Sequence, residues 1–332
     1  MRRKLGRLLS DRRFVGGCLL AAQLIIVMYF LGWASSKWGM LPHFLTVLST
    51  IIVIWLVRKY DNPTYKITWI IVILLLPLFG GLFYLIWGNT PFNRARTQHK
   101  YEPKPPDFKD YMRKPATEYL AEHFPRHACC ARYISSLNGM PVWTNTEAHY
   151  FRLGEEMFAS MCEELRGAHK FIFLEYFIIE EGIMWNTILD ILKRKADEGV
   201  AGRVLYDDVG SIATLPQHYD RFLNTLGIRA VRFNRFVPTL NTYLNYRNHR
   251  KMMIIDGNIS YMGGINLADE YINRKVRFGH WKDTGIMLRG EGTANMTSLF
   301  LQMWEYVTGE PVPPLDHYLP TVKLPPDGYV QP

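Results

Sequence analysis

The sequence predicts an α/β layered domain carried behind an apolar, all-helical anchor. Three observations carry that prediction. Apolar residues crowd into the first 88 positions, a charged stretch with repeated prolines follows, and beyond it helical periodicity alternates with short β-type runs. Alternation of that kind is what a sheet covered by helices requires.

In chain order, Phe14 to Trp33 is almost wholly apolar and close to the roughly 20 residues that cross a bilayer. Its basic start resembles a signal peptide, but the apolar core is too long for one and further apolar segments follow. Leu41 to Val57 is a second, shorter candidate span. Ile67 to Trp87 is a third, interrupted by Pro77, Gly80 and Gly81, where a kink or a re-entrant turn is expected. Residues 1–88 therefore read as an anchor with two or three transmembrane segments. Residues 89–117 hold Pro91, Pro103, Pro105, Pro106 and Pro115 among charges, the composition of an extended linker. The soluble domain is expected over 118–315. There Met157, Phe158, Met161 and Leu165 have helical spacing, and Phe171 to Ile179 reads as a strand. Met184, Ile188 and Leu192 form a second helix closed by Gly199. Arg203 to Tyr206 is a strand, Pro216 to Leu226 a helix stopped by Gly227, and Arg229 to Phe233 a strand again.

The net charge of +9 is concentrated beside the apolar segments. Arg2, Arg3, Lys4, Arg7, Arg12 and Arg13 against Asp11 leave +5 before the first of them; the seven basic residues from Arg94 to Lys114 against Glu102, Asp107 and Asp110 leave +4 after the last. Cations in those places favour a membrane surface over nucleic acid, each worth about 1 kcal/mol near anionic lipid, and equally fit the ordinary clusters that flank transmembrane helices whatever their lipid. They do not set topology, because the tallies on the two sides of a three-span anchor nearly match. The four cysteines, Cys18, Cys129, Cys130 and Cys162, offer neither a disulfide framework nor a metal set, a usage that fits a reducing compartment.

The stretch Asn248 to Asn266, NHRKMMIIDGNISYMGGIN, carries the chemistry. It reads as a hairpin turning at Asp256-Gly257-Asn258. On its first strand His249 and Lys251 are two apart and share a face. Gly263 and Gly264 on the returning strand remove side chains where a ligand or backbone comes close, and Asn266 adds an amide, so the set makes a phosphate pocket. Singly, each residue is ordinary. The combination H-x-K-x4-D-x6-G-G-x-N arises by chance in such a chain on the order of once in a hundred thousand.

These residues resemble the signature of the phospholipase D superfamily, and LEYFIIEEG (Leu174 to Gly182), LYDDVGS (Leu205 to Ser211), GGINLADEY (Gly263 to Tyr271) and FGHWKDT (Phe278 to Thr284) look like bacterial cardiolipin synthases. DNPTYKITW (Asp61 to Trp69) with its apolar continuation resembles that family's membrane-anchoring segment. The resemblance implies a mixed β-sheet flanked by helices behind a transmembrane anchor. It implies His249 as nucleophile on phosphorus, and Lys251 and Asn266 as donors to the phosphate oxygens. It also implies that Asp283 orients the histidine of a second motif copy. Asp256, a turn former, is expected to support geometry. No cofactor or metal is implied.

The implied activity is phosphatidyl transfer between two phosphatidylglycerol molecules, giving cardiolipin and glycerol through a phosphohistidine. The partners expected are phosphatidylglycerol, anionic membrane lipid, and either a missing second half or a second copy of the chain; nucleic acid is not among them. Residues 316–332 resemble the opening of that second half. A multi-pass protein of the bacterial cell membrane with a cytoplasmic catalytic domain follows from the resemblance. A one-motif nuclease acting as a dimer, or a non-catalytic membrane fragment, are the alternatives.

Overall fold

A computed structural model of the chain describes residues 39–60, 63–76, 79–88, 115–236, 247–311, 314–326 and 328–332, with a few isolated positions before 39. The chain divides into two compact units, residues 1–102 with 236–246, and residues 103–235 with 247–332.

In the first unit, helices α1 (Leu41–Arg58) and α2 (Pro63–Leu75) are followed by a single turn, α3 (Gly80–Phe83), and a π-helical turn, Tyr84–Gly88. Ile52, Leu56, Ile73 and Tyr84 form a small shared core. The two glycines are needed there. A Cβ on Gly80 would strike the backbone of Ile73, and one on Gly81 would strike Ser49, whose Oγ accepts the Gly81 N–H at 3.2 Å. The expected interruption of the third apolar segment is thus a real end of helix, followed by a tight return.

The described helices do not establish the expected transmembrane anchor. No described helix is long and apolar enough to cross a membrane. The second and third candidate spans correspond to α1 and to the broken α2–α3 segment, whereas Phe14 to Trp33 falls almost entirely outside the described residues.

The second unit begins with α4 (Pro115–His123) and α5 (Pro125–Asn138), so residues 115–117 start a helix. Then follow β1 (Thr146–Phe151), α6 (Gly154–Arg166), β2 (Phe171–Tyr176), α7 (Ile183–Asp197), β3 (Ala201–Asp207), α8 (Tyr219–Thr225) and β4 (Arg229–Phe233). The hairpin supplies β5 (Met252–Ile255) and β6 (Ile259–Gly263); β7 (Gly285–Gly290) and α9 (Thr293–Thr308) complete the elements used below. The seven strands form one mixed sheet in the order β1-β7-β6-β5-β2-β3-β4, with β2, β3 and β4 parallel and the other pairings antiparallel. The parallel pairs are those joined by helical crossovers, as chain connectivity demands.

Strand alternation explains the two apolar layers. Ile172, Leu174 and Tyr176 of β2 face Met157, Met161 and Leu165 of α6 and Trp185, Ile188 and Leu192 of α7. Phe171 and Phe173 face the other way, onto Phe300, Leu301 and Trp304 of α9. A central strand buried on both faces is apolar for this reason along Phe171 to Leu174, with the buried Glu175 the exception. The C-terminal segment lies against the second layer: Tyr318 packs on Phe171 and Phe173, Asn258 Oδ1 at the hairpin turn accepts the N–H groups of Thr321 and Val322, and Trp143 pairs with Val330.

Candidate active site

The site is built around β5. Its turn to β6 needs positive φ at two successive residues, and Asp256 (φ 54°) and Gly257 (φ 69°) provide it, as the sequence predicts for a tight hairpin. Asp256 does more than turn. Its carboxylate accepts the backbone N–H groups of His169, Lys170 and Phe171 at 2.8, 2.7 and 2.9 Å, fixing the start of β2 beside β5. It lies at the far end of β5 from His249, with Met252 to Ile255 between them.

At the near end the structure shortens the expected strand. β5 begins at Met252, so His249 and Lys251 stand in the extended segment leading into it. That segment is held from below. Asp207, buried at the end of β3, accepts the Asn248 backbone N–H (3.0 Å) and pairs with Arg247 (3.1 Å). Glu175, buried in β2, accepts the Asn248 side-chain amide at 2.6 Å and lies 3.5 Å from Arg250. Burial raises the Glu175 carboxyl above its ordinary range, opposed by Arg250 and Asn248. Asn248 and Arg250 thus face into the protein, leaving His249 between them exposed, with its ring 4.8 Å from that of Phe177.

Lys251 is buried. Its ammonium donates to the His249 carbonyl at 2.7 Å and stands over the Phe177 ring at 5.4 Å. Burial lowers its pKa to about 8, and Asp283 opposes the shift. An amine in that state remains mostly protonated near neutrality, a cation sparsely solvated beside an exposed imidazole.

The glycine pair and Asn266 make specific contacts. A Cβ on Gly263 would meet the backbone of Thr284 and Gly285, and one on Gly264 would meet the Asp283 carboxylate. The close approach is therefore between two strands and an acidic side chain. Asn266 is buried and its Oδ1 accepts the Ile178 N–H (2.9 Å), while its amide donates to the Tyr271 hydroxyl (2.8 Å). Asp283 accepts the Thr284 N–H at 2.8 Å and has the Trp281 indole N–H 3.5 Å away. Among the described residues no group of three or more His, Cys, Asp and Glu side chains is arranged to hold a metal ion. The arrangement offers a nucleophile, a poorly solvated cation and an acid nearby, which suits attack on a phosphodiester.

Residues 161–304 match the family described as cardiolipin synthase, PLD-like domain, and residues 47–89 match the phospholipase D-nuclease N-terminal family. Residues 161–304 thus form a phospholipase D-like domain of the cardiolipin synthase type. It is 36% identical over 254 residues to cardiolipin synthase 2 of Bacillus anthracis, a match covering 76% of this chain and 49% of that protein. It is 32% identical over 307 residues to the cardiolipin synthase of Halalkalibacterium halodurans, covering 91% and 60%. An uncharacterized protein of Streptococcus mutans is 43% identical over 256 residues, covering 76% and 55%. The chain spans about half the length of the curated relatives it matches.

Within this family-type domain, Phe177, Asp207 and Glu175 are the residues that motif reading alone missed. All three lie in the family-like stretches Leu174 to Gly182 and Leu205 to Ser211, and the two acids stand at the ends of apolar strands, Glu175 after FIFL and Asp207 after RVLY, where an unpaired carboxylate would be costly to bury.

Proposed function

We infer that the chain is the first-motif half of a cardiolipin synthase. The observation that carries this reading is the exposed His249 imidazole held beside the buried, partly desolvated Lys251 ammonium in a family-matched domain. A ring nitrogen of His249 attacks the phosphorus of phosphatidylglycerol, an N–P bond forms, and the P–O bond to the headgroup glycerol breaks. Glycerol leaves with a proton. The glycerol hydroxyl of a second phosphatidylglycerol then attacks, loses its proton, and breaks the N–P bond to release cardiolipin. One phosphodiester replaces another, so no nucleotide is consumed.

Lys251 and Asn266 steady the phosphate oxygens in this scheme, Gly263 and Gly264 let the Thr284–Gly285 backbone and the Asp283 carboxylate approach beside them, and Asp256 keeps the hairpin in register. The proton transfers to glycerol and from the second lipid need an acid/base on the opposite side, supplied by a second motif whose histidine Asp283 orients. Either a second half or a second copy of the chain provides that motif. The first unit, with the basic clusters beside it, holds the protein on the cell membrane, multi-pass and with the catalytic domain in the cytoplasm. The test is cardiolipin formation from phosphatidylglycerol vesicles, with duplex and single-stranded DNA as competing substrates. Hydrolysis of DNA without cardiolipin formation would replace this reading with the nuclease one.

A further inference from the structure

Between Asn273 and Lys282 the chain leaves the catalytic domain as a loop closed at its own neck. The Trp281 backbone N–H donates to Asn273 Oδ1 at 2.6 Å, and Asn273 Nδ2 donates back to the Trp281 carbonyl at 2.9 Å and to Glu155 at 2.8 Å. Asn273 adopts φ 53° to do so, and Gly279 turns the far side at φ 100°. A loop tied in this way holds a shape without a core of its own. Two ion pairs brace its flanks, Lys275 with Glu180 and Arg277 with the buried Glu270. What these ties hold out is apolar: Val276 is 82% exposed and Phe278 78%.

Large apolar side chains braced into solvent require a partner, and the surrounding charge says which kind. From Asn273 to Lys282 the loop carries Arg274, Lys275, Arg277 and Lys282 and no acidic residue. Glu180 and Glu270 neutralise Lys275 and Arg277, so Arg274 and Lys282 supply the excess charge beside the apolar tip. Apolar groups flanked by cations suit an anionic lipid surface, where the apolar groups enter the headgroup–acyl boundary and the cations meet phosphates. The loop also leads to the site. The Phe278 ring is 6.1 Å from that of Trp281, Trp281 is 4.9 Å from Tyr271, and the Trp281 indole approaches Asp283.

We propose that residues 274–280 are a lipid-docking loop that inserts Val276 and Phe278 into an anionic membrane surface and brings phosphatidyl headgroups to His249 and Lys251. The identity of the surface rests on the lipid-substrate reading above; the place and shape of the loop do not.

The test uses the full chain with its four cysteines replaced and Phe278→Cys carrying an environment-sensitive fluorophore. It is reconstituted into vesicles of phosphatidylglycerol or of phosphatidylcholine. The loop is expected to give blue-shifted emission and at least threefold stronger quenching by nitroxides at shallow acyl positions in phosphatidylglycerol. Both effects should weaken when salt is raised from about 0.1 M to about 1 M, as the screening length falls from about 10 Å to about 3 Å. Water-like emission in both lipids overturns the proposal. So does a blue shift that appears in lipid-free solution only when a second-motif half is added, because the loop would then be a protein interface. Cardiolipin formation assayed separately, with Phe278 intact, keeps the two readings apart. Turnover with a water-exposed loop sinks the docking proposal alone, and an inserted loop in a complemented protein that makes no cardiolipin sinks the reaction alone.

Discussion

Lys251 shows how one residue can be chosen against its own solvation. Burial lowers its pKa to about 8 while the unfolded chain returns it to about 10.5, so the unfolded state binds the extra proton between those values. Its contribution to stability therefore rises with pH across that window, while its service as a cation is lost above about 8. Cardiolipin formation should fall as pH passes 8 even though the fold does not weaken; a pH–rate profile beside a thermal melt at each pH checks both signs. Lys251→Met should lower turnover by about 10²- to 10³-fold, the usual effect of removing a donor aimed at developing charge. A loss under tenfold would make Lys251 a packing residue. His249 and Lys251 were legible because spacing and residue type coincide in one motif. Phe177 was not legible, since an aromatic after a strand is ordinary core until the fold sets its ring against the imidazole.

At the scale of elements, the hairpin is the part that sequence specifies most completely. Asp256 and Gly257 are residues that tolerate the left-handed turn, and the apolar run on either side leaves little choice of register. Asp256 is expected to act on the fold and not on the proton. Asp256→Asn removes one of the two acceptor oxygens that gather His169, Lys170 and Phe171, and should destabilise by about 2 kcal/mol, read from urea unfolding, with turnover of the folded fraction within a few-fold of normal. A large loss of turnover without loss of stability would give Asp256 a chemical role. Gly264→Ala drives a methyl group into the Asp283 carboxylate. It should disturb Lys251 through that acid, moving the upper limb of the pH–rate profile. An unchanged limb would show that Asp283 does not reach Lys251. The β4 boundaries and the α6 helix follow directly from periodicity. β1 and β7 do not, because an edge pair with Glu147, His149, Tyr150 and Arg289 partly or fully exposed lacks an apolar run, and its pairing is decided by distant chain segments. α9 was equally hidden, its Thr293, Asn295, Thr297 and Ser298 being buried polar residues whose partners only the fold reveals.

For the whole molecule, the sheet and its two apolar layers followed from alternation and the type of domain over residues 161–304 from the motif, while the anchor expected over residues 1–88 is not established by the described helices. The third apolar segment, interrupted in sequence by Pro77, Gly80 and Gly81, contains a helix ending at Leu75 and a separate turn from Gly80. The account assigns this chain one nucleophile and places its acid/base elsewhere. The chain alone should therefore make cardiolipin at least 10²-fold more slowly than when complemented by a second-motif half, the usual worth of general acid–base help. The central claim is that His249 bonds to phosphorus, and trapping tests it most directly. The complemented protein is given phosphatidylglycerol labelled in its phosphate, quenched in alkaline detergent during turnover, and mapped by mass spectrometry. The account predicts a phosphatidyl adduct on His249 that is absent, together with cardiolipin formation, from His249→Ala. Sustained cardiolipin formation by His249→Ala, or an adduct on another residue in its place, would contradict it.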